Sequence, residues 1–289
     1  MNRYVPLIDF AIPTKTDTHT LVVPTVDDIV FDERYPYDYL TFGEKILGFL
    51  LKATLFLIGR LVLGISIGFR IINRKNIKKY KKELKNGFLS VSNHIHPYDN
   101  IAHMIAFRYR QLHFPVWAQN LRGKNRYFMK CTGGIPVPEG SIRGLAKFDK
   151  TMQKCLANNK WVHVMVEGSM WDWFSEIRPF KLRTFIWAVN NHKPILPFVY
   201  TYRPISKFRH FLAPKSKASI DMNIGEPLYP DLTITSAHER ALDLLHKTRA
   251  YMMKTAGITE DIFGFDAYDA SYNPQKACEE FYQKIASRD

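Results

Sequence analysis

The chain has 289 residues, of which 46% are hydrophobic and 24% are charged, and its net charge is +14. This composition is ordinary for a globular protein with a sizeable core, and the positive charge favours an anionic partner: nucleic acid, anionic lipid or a phosphorylated ligand. The odd number of cysteines excludes complete internal pairing, and no two of Cys131, Cys155 and Cys278 form a C-x-x-C motif. We therefore expect reduced thiols in a cytosolic-facing protein.

Residues 1–42 alternate short apolar runs with proline, threonine and aspartate, which predicts an extended arm. The start of the chain lacks the long apolar run of a secretory signal. We expect surface loops here, and a docking arm or partial lid is the alternative.

Residues 43–87 are predicted to form a membrane-associating segment. The run from Ile46 to Phe69 is mostly leucine, isoleucine, phenylalanine and glycine, with Lys52 and Arg60 on one helical face. Two cations at membrane depth argue against a lone transmembrane span. We expect a helix, or two helices broken near Gly64, lying in one leaflet. A buried core helix is the alternative.

Eight basic residues and one acidic residue follow between Arg70 and Lys85. Directly after an apolar helix, such a run favours contact with anionic lipid. A nucleic-acid patch is the competing interpretation, but no recognisable nucleic-acid module lies nearby. We therefore expect an anionic membrane surface as partner, a location at the cytoplasmic face of a membrane, and no nucleic acid.

From Phe88 onward, short apolar runs alternate with helical patterns, which predicts an α/β domain with a largely parallel central sheet flanked by helices. The predicted strands are Phe88–Ser92, Pro115–Gln119, Gly134–Val137, Trp161–Val166, Ile195–Thr201 and Ala218–Ile224. The predicted helices are Pro97–Gln111, Arg143–Asn158, Lys181–Asn190 and Thr235–Thr255. We assign residues 88–256 to a single catalytic domain and residues 257–289 to a C-terminal tail with a short helix near Pro274–Ala286.

The first predicted strand leads into the pattern Asn93-His94-x4-Asp99. Asp99 can hold one ring nitrogen of His94 and fix its tautomer, while the other nitrogen takes a proton from a hydroxyl. Because no G-x-S-x-G nucleophile motif is present, the pair suits direct attack by a substrate hydroxyl. His96 and His103 raise the possibility of a metal site, but no further cluster of metal-ligand residues completes one, so we expect no metal.

Four blocks in order resemble the lysophospholipid acyltransferase family, the 1-acylglycerol-3-phosphate acyltransferases. They are Asn93–Asp99, Gly134–Glu139, Val166–Met170 and Pro194–Val199, and the resemblance covers about residues 70–256. The chain departs from the family at Glu139 and Met170, which stand where the family usually has arginines thought to grip the acceptor phosphate.

The resemblance implies transfer of a fatty acyl group from acyl-CoA or acyl carrier protein to a hydroxyl of a lysophospholipid or related glycerolipid. It implies no cofactor beyond this co-substrate. Backbone N–H groups near Gly168 and Ser169 would stabilise the oxyanion, and Glu167 would orient their loop or bind acceptor hydroxyls.

Several cations are candidates to replace the missing arginines: Arg143, Arg178, Lys181 and Arg183. Trp171 and Trp173 would line an acyl groove, touch the membrane interface or belong to the core. Two alternatives to the phosphate-bearing acceptor stay open. One is acylation of a non-phosphate acceptor such as a glycolipid, and the other is a catalytically silent lipid-binding protein of the same fold.

Overall fold

The computed structural model describes residues 3–21, 23–107, 112–264 and 274–287. Its seven strands are β1 (Arg70–Ile72), β2 (Phe88–Ser92), β3 (Leu112–Trp117), β4 (Gly134–Val137), β5 (Trp161–Met165), β6 (Ile195–Arg203) and β7 (Ser219–Ile224). They form one sheet in the order β1-β7-β6-β2-β5-β3-β4, with β6 and β7 antiparallel and the other neighbours parallel. The predicted α/β fold with a largely parallel sheet is confirmed.

The N-terminal helices are α1 (Phe42–Thr54), a π-helical turn (Leu55–Gly59), α2 (Arg60–Ile67), α3 (Lys75–Lys79), α4 (Lys81–Lys85), α5 (Asp99–Ala106), α6 (Ala118–Arg122) and α7 (Arg126–Thr132). They are followed by α8 (Ile142–Ala157), α9 (Arg183–Asn190), α10 (Lys207–Leu212), α11 (Ala237–Ala256) and α12 (Gln275–Ala286). The predicted helix Pro97–Gln111 is shorter, because α5 ends at Ala106, and residues 108–111 of the prediction lie outside the described residues.

The side chains of β2 alternate between two hydrophobic layers, as the period of a strand requires. Phe88 packs with α2 and α5 on one face of the sheet. Leu89 and Val91 pack with α8, α9 and α11 on the other face. Because both faces are covered, β2 is buried throughout, and its two serines, Ser90 and Ser92, form hydrogen bonds with the buried His163 ring.

β1 extends the sheet to residues that precede the predicted domain boundary at residue 88. It pairs with β7, and Arg70 forms an ion pair with Asp221 at 2.7 Å. The basic run therefore contains a strand and two short helices, all of which lie against the α/β domain.

The apolar segment is a single helix, Phe42–Ile67, without the predicted break near Gly64. Among the described residues it is the one helix long and apolar enough to cross a membrane, and 17% of its most apolar window is buried. Its inner face packs closely on the domain, since a Cβ at Gly48 would overlap the Cys131 carbonyl and one at Gly59 would lie 3.1 Å from Ile105. The enclosed core helix of the alternative interpretation is therefore wrong, because most of this helix is exposed.

The described parts of the N-terminal arm and the C-terminal tail pack together over one end of the domain. Ile12, Phe263 and Cys278 form a small buried cluster with Trp171 and Phe174. All three cysteines of the chain are free and buried.

Candidate active site

The predicted pair of His94 and Asp99 comes together at the centre of the sheet. His94 follows β2, whose neighbours are β5 and β6, so it lies where the carboxyl ends of parallel strands meet. The Nδ1 atom of His94 is 3.1 Å from Oδ2 of Asp99. The same oxygen accepts hydrogen bonds from the backbone N–H groups of Ile95 at 2.8 Å and His96 at 3.0 Å. These bonds fix the carboxylate, and they leave Nε2 of His94 as the nitrogen that can take a substrate proton.

Burial governs the charge of this pair. The His94 side chain is 14% exposed and the Asp99 side chain 3%. Burial lowers the pKa of His94 to about 3, and the nearby Arg178 charge acts in the same direction. Burial raises the pKa of Asp99 to about 7, against the opposing effects of His96 and the two backbone hydrogen bonds. The uncharged imidazole is thus favoured, as a general base requires.

Asn93, the first residue of the motif, fastens the loop to the neighbouring strand. Its amide nitrogen donates to the Tyr200 carbonyl at 3.1 Å, and its amide oxygen accepts from the Tyr200 N–H at 2.9 Å. The Tyr200 hydroxyl also donates to the Asp99 carbonyl at 3.3 Å. Both Asn93 and Tyr200 are buried, so β6 holds the loop on which His94 and Asp99 lie.

Glu167 joins the catalytic loop to the loop after β5. Its carboxylate accepts from the His94 N–H at 3.0 Å, from the Arg178 N–H at 2.9 Å and from the Arg178 guanidinium at 2.8 Å. Glu167 is 1% exposed and Arg178 is fully buried. These bonds favour the first of the two predicted roles for Glu167, orienting the loop, over contact with acceptor hydroxyls, and the role stays a prediction. The suggestion that Arg178 replaces a phosphate-binding arginine is wrong, because its guanidinium is enclosed and paired.

The sequence predicts that backbone N–H groups near Gly168 and Ser169 stabilise the oxyanion, and in the structure the Gly168 N–H has another partner. Gly168 adopts φ +80°, which favours glycine, and its N–H donates to the Met165 carbonyl at 3.0 Å. That N–H is occupied within the turn, so this part of the prediction is corrected. The Ser169 hydroxyl donates to the Thr16 carbonyl at 2.7 Å and accepts from Arg178 at 2.6 Å.

The three predicted cations at the surface occupy different places, and Arg183 lies 3.6 Å from Asp149 of α8. The Lys181 side chain lies against Gly168, and its Nζ is 3.6 Å from Asp17. Arg143 is exposed in the first turn of α8, and no hydrogen bond or ion pair between described residues joins it to His94 or Glu167. Lys181 therefore borders the site, and Arg143 stays a prediction.

Residues 16–20, here called the strap, cross the loop after β5. The Thr16 carbonyl also accepts from the Arg178 guanidinium at 2.9 Å, and the Thr18 carbonyl accepts from the Trp171 indole at 2.9 Å. The Thr20 N–H donates to the Met170 carbonyl at 3.0 Å. The strap therefore packs on this loop, and whether it acts as a docking arm or a partial lid stays a prediction.

His19 of the strap is a residue that the sequence analysis missed. Its ring stacks on Trp117 with centroids 4.3 Å apart, and Nδ1 accepts from the Met170 N–H at 3.2 Å. Burial lowers the pKa of His19 to about 4. A lone histidine in a threonine-rich arm carries no sequence signal for this placement.

Neither Glu139 nor Met170, the two residues in the family's arginine positions, can supply a positive charge. Glu139 accepts from the Trp117 indole at 3.0 Å and from Arg122 at 2.9 Å. Met170 is buried beneath the strap. Both positions instead take part in holding neighbouring loops together.

The two tryptophans of the loop belong to the core. Trp171 is fully buried beneath the Arg178 guanidinium, 4.6 Å from the ring centroid. Trp173 adopts φ +63° and meets the His96 ring edge-on at 5.0 Å. A left-handed backbone at such a bulky residue is costly, so the surrounding bonds must hold it. No group of three or more metal-ligand residues is arranged for a metal ion in the described parts of the chain.

A buried imidazole held by a carboxylate at the end of a central strand is an arrangement suited to activating a hydroxyl. The model of the acyltransferase family matches residues 68–201, a range that contains all four blocks. This match spans just under half of the chain, and it confirms the resemblance to the family found in the sequence.

Comparison with solved structures finds a 1-acyl-sn-glycerophosphate (LPA) acyltransferase, PlsC, from Thermotoga maritima. It is 15% identical, and the match covers 74% of this chain and 84% of that chain with a TM-score of 0.49. Comparison with curated proteins gives no significant match.

Proposed function

We propose that this acyltransferase moves a fatty acyl group from acyl-CoA or acyl carrier protein to a hydroxyl of a lysophospholipid or related glycerolipid. The observation that carries the proposal is the buried pair of His94 and Asp99, fixed at the end of the central strand of an acyltransferase-family domain. The domain limits inferred from the sequence, with a membrane-associating segment over 43–87 and a catalytic domain over 88–256, are part of the same proposal, except that β1 (Arg70–Ile72) joins the sheet of the catalytic domain.

In the proposed step, Nε2 of His94 takes the proton of the acceptor hydroxyl while its oxygen attacks the thioester carbonyl carbon. The tetrahedral intermediate then collapses, the C–S bond breaks and an ester is left on the acceptor. The departing thiolate takes the proton back from His94. Asp99 stabilises the imidazolium between these two transfers.

A second candidate acceptor, one without a phosphate monoester, is favoured by a specific observation. Glu139 and Met170 stand in the arginine positions, and Arg178 is enclosed and paired with Glu167. Among the predicted cations, Lys181 is the one that borders the site. A glycolipid hydroxyl needs fewer cations than a phosphate-bearing lipid, so it is the alternative to be compared directly.

Membrane association is proposed from the outward face of the helix Phe42–Ile67. Most of its exposed side chains are large and apolar, although Lys45 and Arg60 are exposed as well. Helix α10 adds Phe208 and Phe211, which are 72% and 82% exposed. Arg209 joins the two elements by donating to the Gly64 and Ile65 carbonyls. Because the inner face packs on the domain, we propose that the helix lies along one leaflet at the cytoplasmic face.

The test is an acyl-transfer assay on the full chain in detergent micelles. It pairs acyl-CoA and acyl carrier protein donors with lysophosphatidate, lysophosphatidylcholine and glycolipid acceptors. We expect His94→Ala to lower kcat by about 10²–10⁴-fold, the usual contribution of a general base, with the fold retained. The matched control is His238→Ala, since His238 is an exposed histidine on α11.

Equal turnover by the wild type and His94→Ala would reject the mechanism. Absence of turnover for every donor and acceptor, with lipid binding retained, would favour the silent lipid-binding protein. The preferred acceptor in the same panel separates the phosphate-bearing lipid from the glycolipid.

A further inference from the structure

A cavity of about 730 Å³ opens between the basic run and the C-terminal end of α5. This volume is within the range of about 300–1,000 Å³ typical of ligand sites. Four cations line it: Arg74, Lys75, Lys78 and Lys81. Such a space is too large for a single inorganic ion and suits an organic anion.

The cations of the cavity lack partners within the described protein. Arg74, Lys78 and Lys81 follow one another at spacings of four and three residues, which brings them to one side of α3 and α4. None of the four lining cations forms an ion pair with another described residue, whereas the adjacent Lys79 pairs with Glu226 at 2.9 Å. Uncompensated cations around a concavity concentrate positive potential there.

The remainder of the cavity wall is apolar. It consists of Ile77, Leu84, Ala106 and Phe107, of which all but Ile77 are almost completely buried. A ligand that fills this space therefore meets charge at the rim and hydrocarbon at the floor. This combination matches an amphiphile with an anionic headgroup better than it matches a nucleic acid, which presents a long charged backbone to a surface.

The cavity is separate from the candidate active site. Phe107 follows the last residue of α5, whereas Asp99 is its first residue, so the eight residues of the helix place them about 12 Å apart. Phe107 also packs on Phe88, the first residue of β2, with ring centroids 5.1 Å apart, while His94 follows the other end of that strand. A ligand here would not be the acylated hydroxyl.

The same helix connects the cavity with the apolar helix. Ile105 of α5 lies against Gly59 in the π-helical turn, one residue before the cavity wall at Ala106. We propose that the cavity binds the phosphate headgroup of an anionic phospholipid that is neither donor nor acceptor. This inference rests on the membrane association proposed above, and it assigns the lipid to one discrete site instead of a diffuse basic surface.

The experiment measures binding of the full chain to phosphatidylcholine vesicles and to mixed phosphatidylcholine–phosphatidylglycerol vesicles. Lys78→Gln/Lys81→Gln removes two cations of the cavity. Lys82→Gln/Lys85→Gln is the matched control, because these lysines are exposed in α4, the helix of Lys81, but do not line the cavity. We expect the first pair to weaken binding to the mixed vesicles about thirtyfold, which corresponds to about 2 kcal/mol, and the control pair to weaken it much less.

Equal losses in the two variants would overturn the proposal in favour of a diffuse basic surface. An oligonucleotide that displaces the protein from mixed vesicles, by binding that requires Lys78 and Lys81, would also overturn the proposal, in favour of nucleic acid. Competition by soluble glycerol phosphate as strong as that by the mixed vesicles would assign the site to a free phosphate compound. Thermal unfolding confirms that each variant is folded.

Measuring turnover separates a failure of the proposed enzymatic function from a failure of the lipid site. Turnover in detergent micelles is expected to be unchanged in both double variants, since none of the four lysines belongs to the candidate active site. A wild type that binds mixed vesicles through Lys78 and Lys81 but never transfers an acyl group would retain this inference and reject the enzyme. If the wild type bound neither the neutral nor the mixed vesicles, both the proposed membrane association and the lipid site would be contradicted.

Discussion

Oδ2 of Asp99 accepts three N–H groups, from the imidazole of His94 and from two backbone amides. Two ionisable groups at this distance bind protons as one unit, so the pair has a macroscopic pKa that belongs to neither residue alone. Burial raises the pKa of Asp99 to about 7 and lowers that of His94 to about 3. The first proton bound as the pH falls therefore arrives near pH 7.

The pH dependence of kcat/KM should follow from this pair. Above about pH 7 the carboxylate is charged and the imidazole neutral, which is the active form. Below it the bound proton removes either the base or its orienting charge, so activity falls. In Asp99→Asn the raised group is gone and the burial-lowered pKa of His94 remains, so the acidic limb should move to lower pH while the rate drops. An acidic limb that stays near pH 7 in Asp99→Asn would contradict this assignment.

Breaking the buried ion pair of Glu167 and Arg178 by removing one partner should be strongly destabilising. Both side chains are enclosed, and removing one partner of a buried pair costs about 3–5 kcal/mol. We expect Glu167→Gln to lower the free energy of unfolding by this amount in denaturant titrations. Glu167→Gln/Arg178→Met should recover part of it, because no unpaired charge is then buried.

The exposed pair of Lys79 and Glu226 provides the matched control for that measurement. Its ions lie on the surface, where solvent screens them, so Glu226→Gln should leave the free energy of unfolding nearly unchanged. If Glu167→Gln were as mild as this control, the buried pair would not be holding the two loops together.

Among the larger elements, the strap is expected to order the loop that carries Glu167. The Thr20 hydroxyl accepts from the Asp172 N–H at 3.2 Å and donates to the Met170 carbonyl at 3.1 Å. Thr20→Val removes both bonds and should increase hydrogen exchange at Asp172. We expect kcat to fall a few-fold, roughly the effect of about 1 kcal/mol for lost hydrogen bonds.

Thr18→Val is the control, because Thr18 is exposed and contacts Trp171 through its backbone carbonyl. This variant should leave both exchange and turnover unchanged. Faster exchange in Thr18→Val, or none in Thr20→Val, would mean that the threonine hydroxyl is not what orders the loop.

The sequence predicts the apolar helix, but it does not predict how the helix packs on the domain or that it continues through Gly64. Its length and apolar composition follow from leucine, isoleucine and phenylalanine alone. Its continuity through Gly64 depends on packing, since Leu63 and Ile67 on either side are buried against the domain. Glycine in a helix costs about 1 kcal/mol, which tertiary contacts readily offset.

For the whole molecule, the sheet was largely predictable because its central strands are buried on both faces. The bounds of β2 and β4 agree with the prediction at both ends, since apolar runs there are bounded by turn residues. The strand β1 was missed because three residues within a basic run carry no strand signal, and its partner β7 lies far along the chain.

Part of the candidate site was predictable because its residues lie close together in the sequence. The geometry of His94 and Asp99 follows from a local motif at a strand end. The enclosure of Arg178 and Glu167 does not, because charged residues are usually exposed. The strap was missed because its bonds at Thr16 and Thr18 use backbone carbonyls, which any residue supplies.

The strap also constrains the order in which the protein can be completed during synthesis. Thr20 bonds to Met170 across 150 positions, and Thr16 bonds to Arg178 across 162. A nascent chain emerges from the ribosome amino end first, so the arm must wait through most of translation before its partners exist. The site therefore forms late in folding. In a chain arrested before Arg178, Thr16 lacks its bonding partner and the strap cannot pack in its final position.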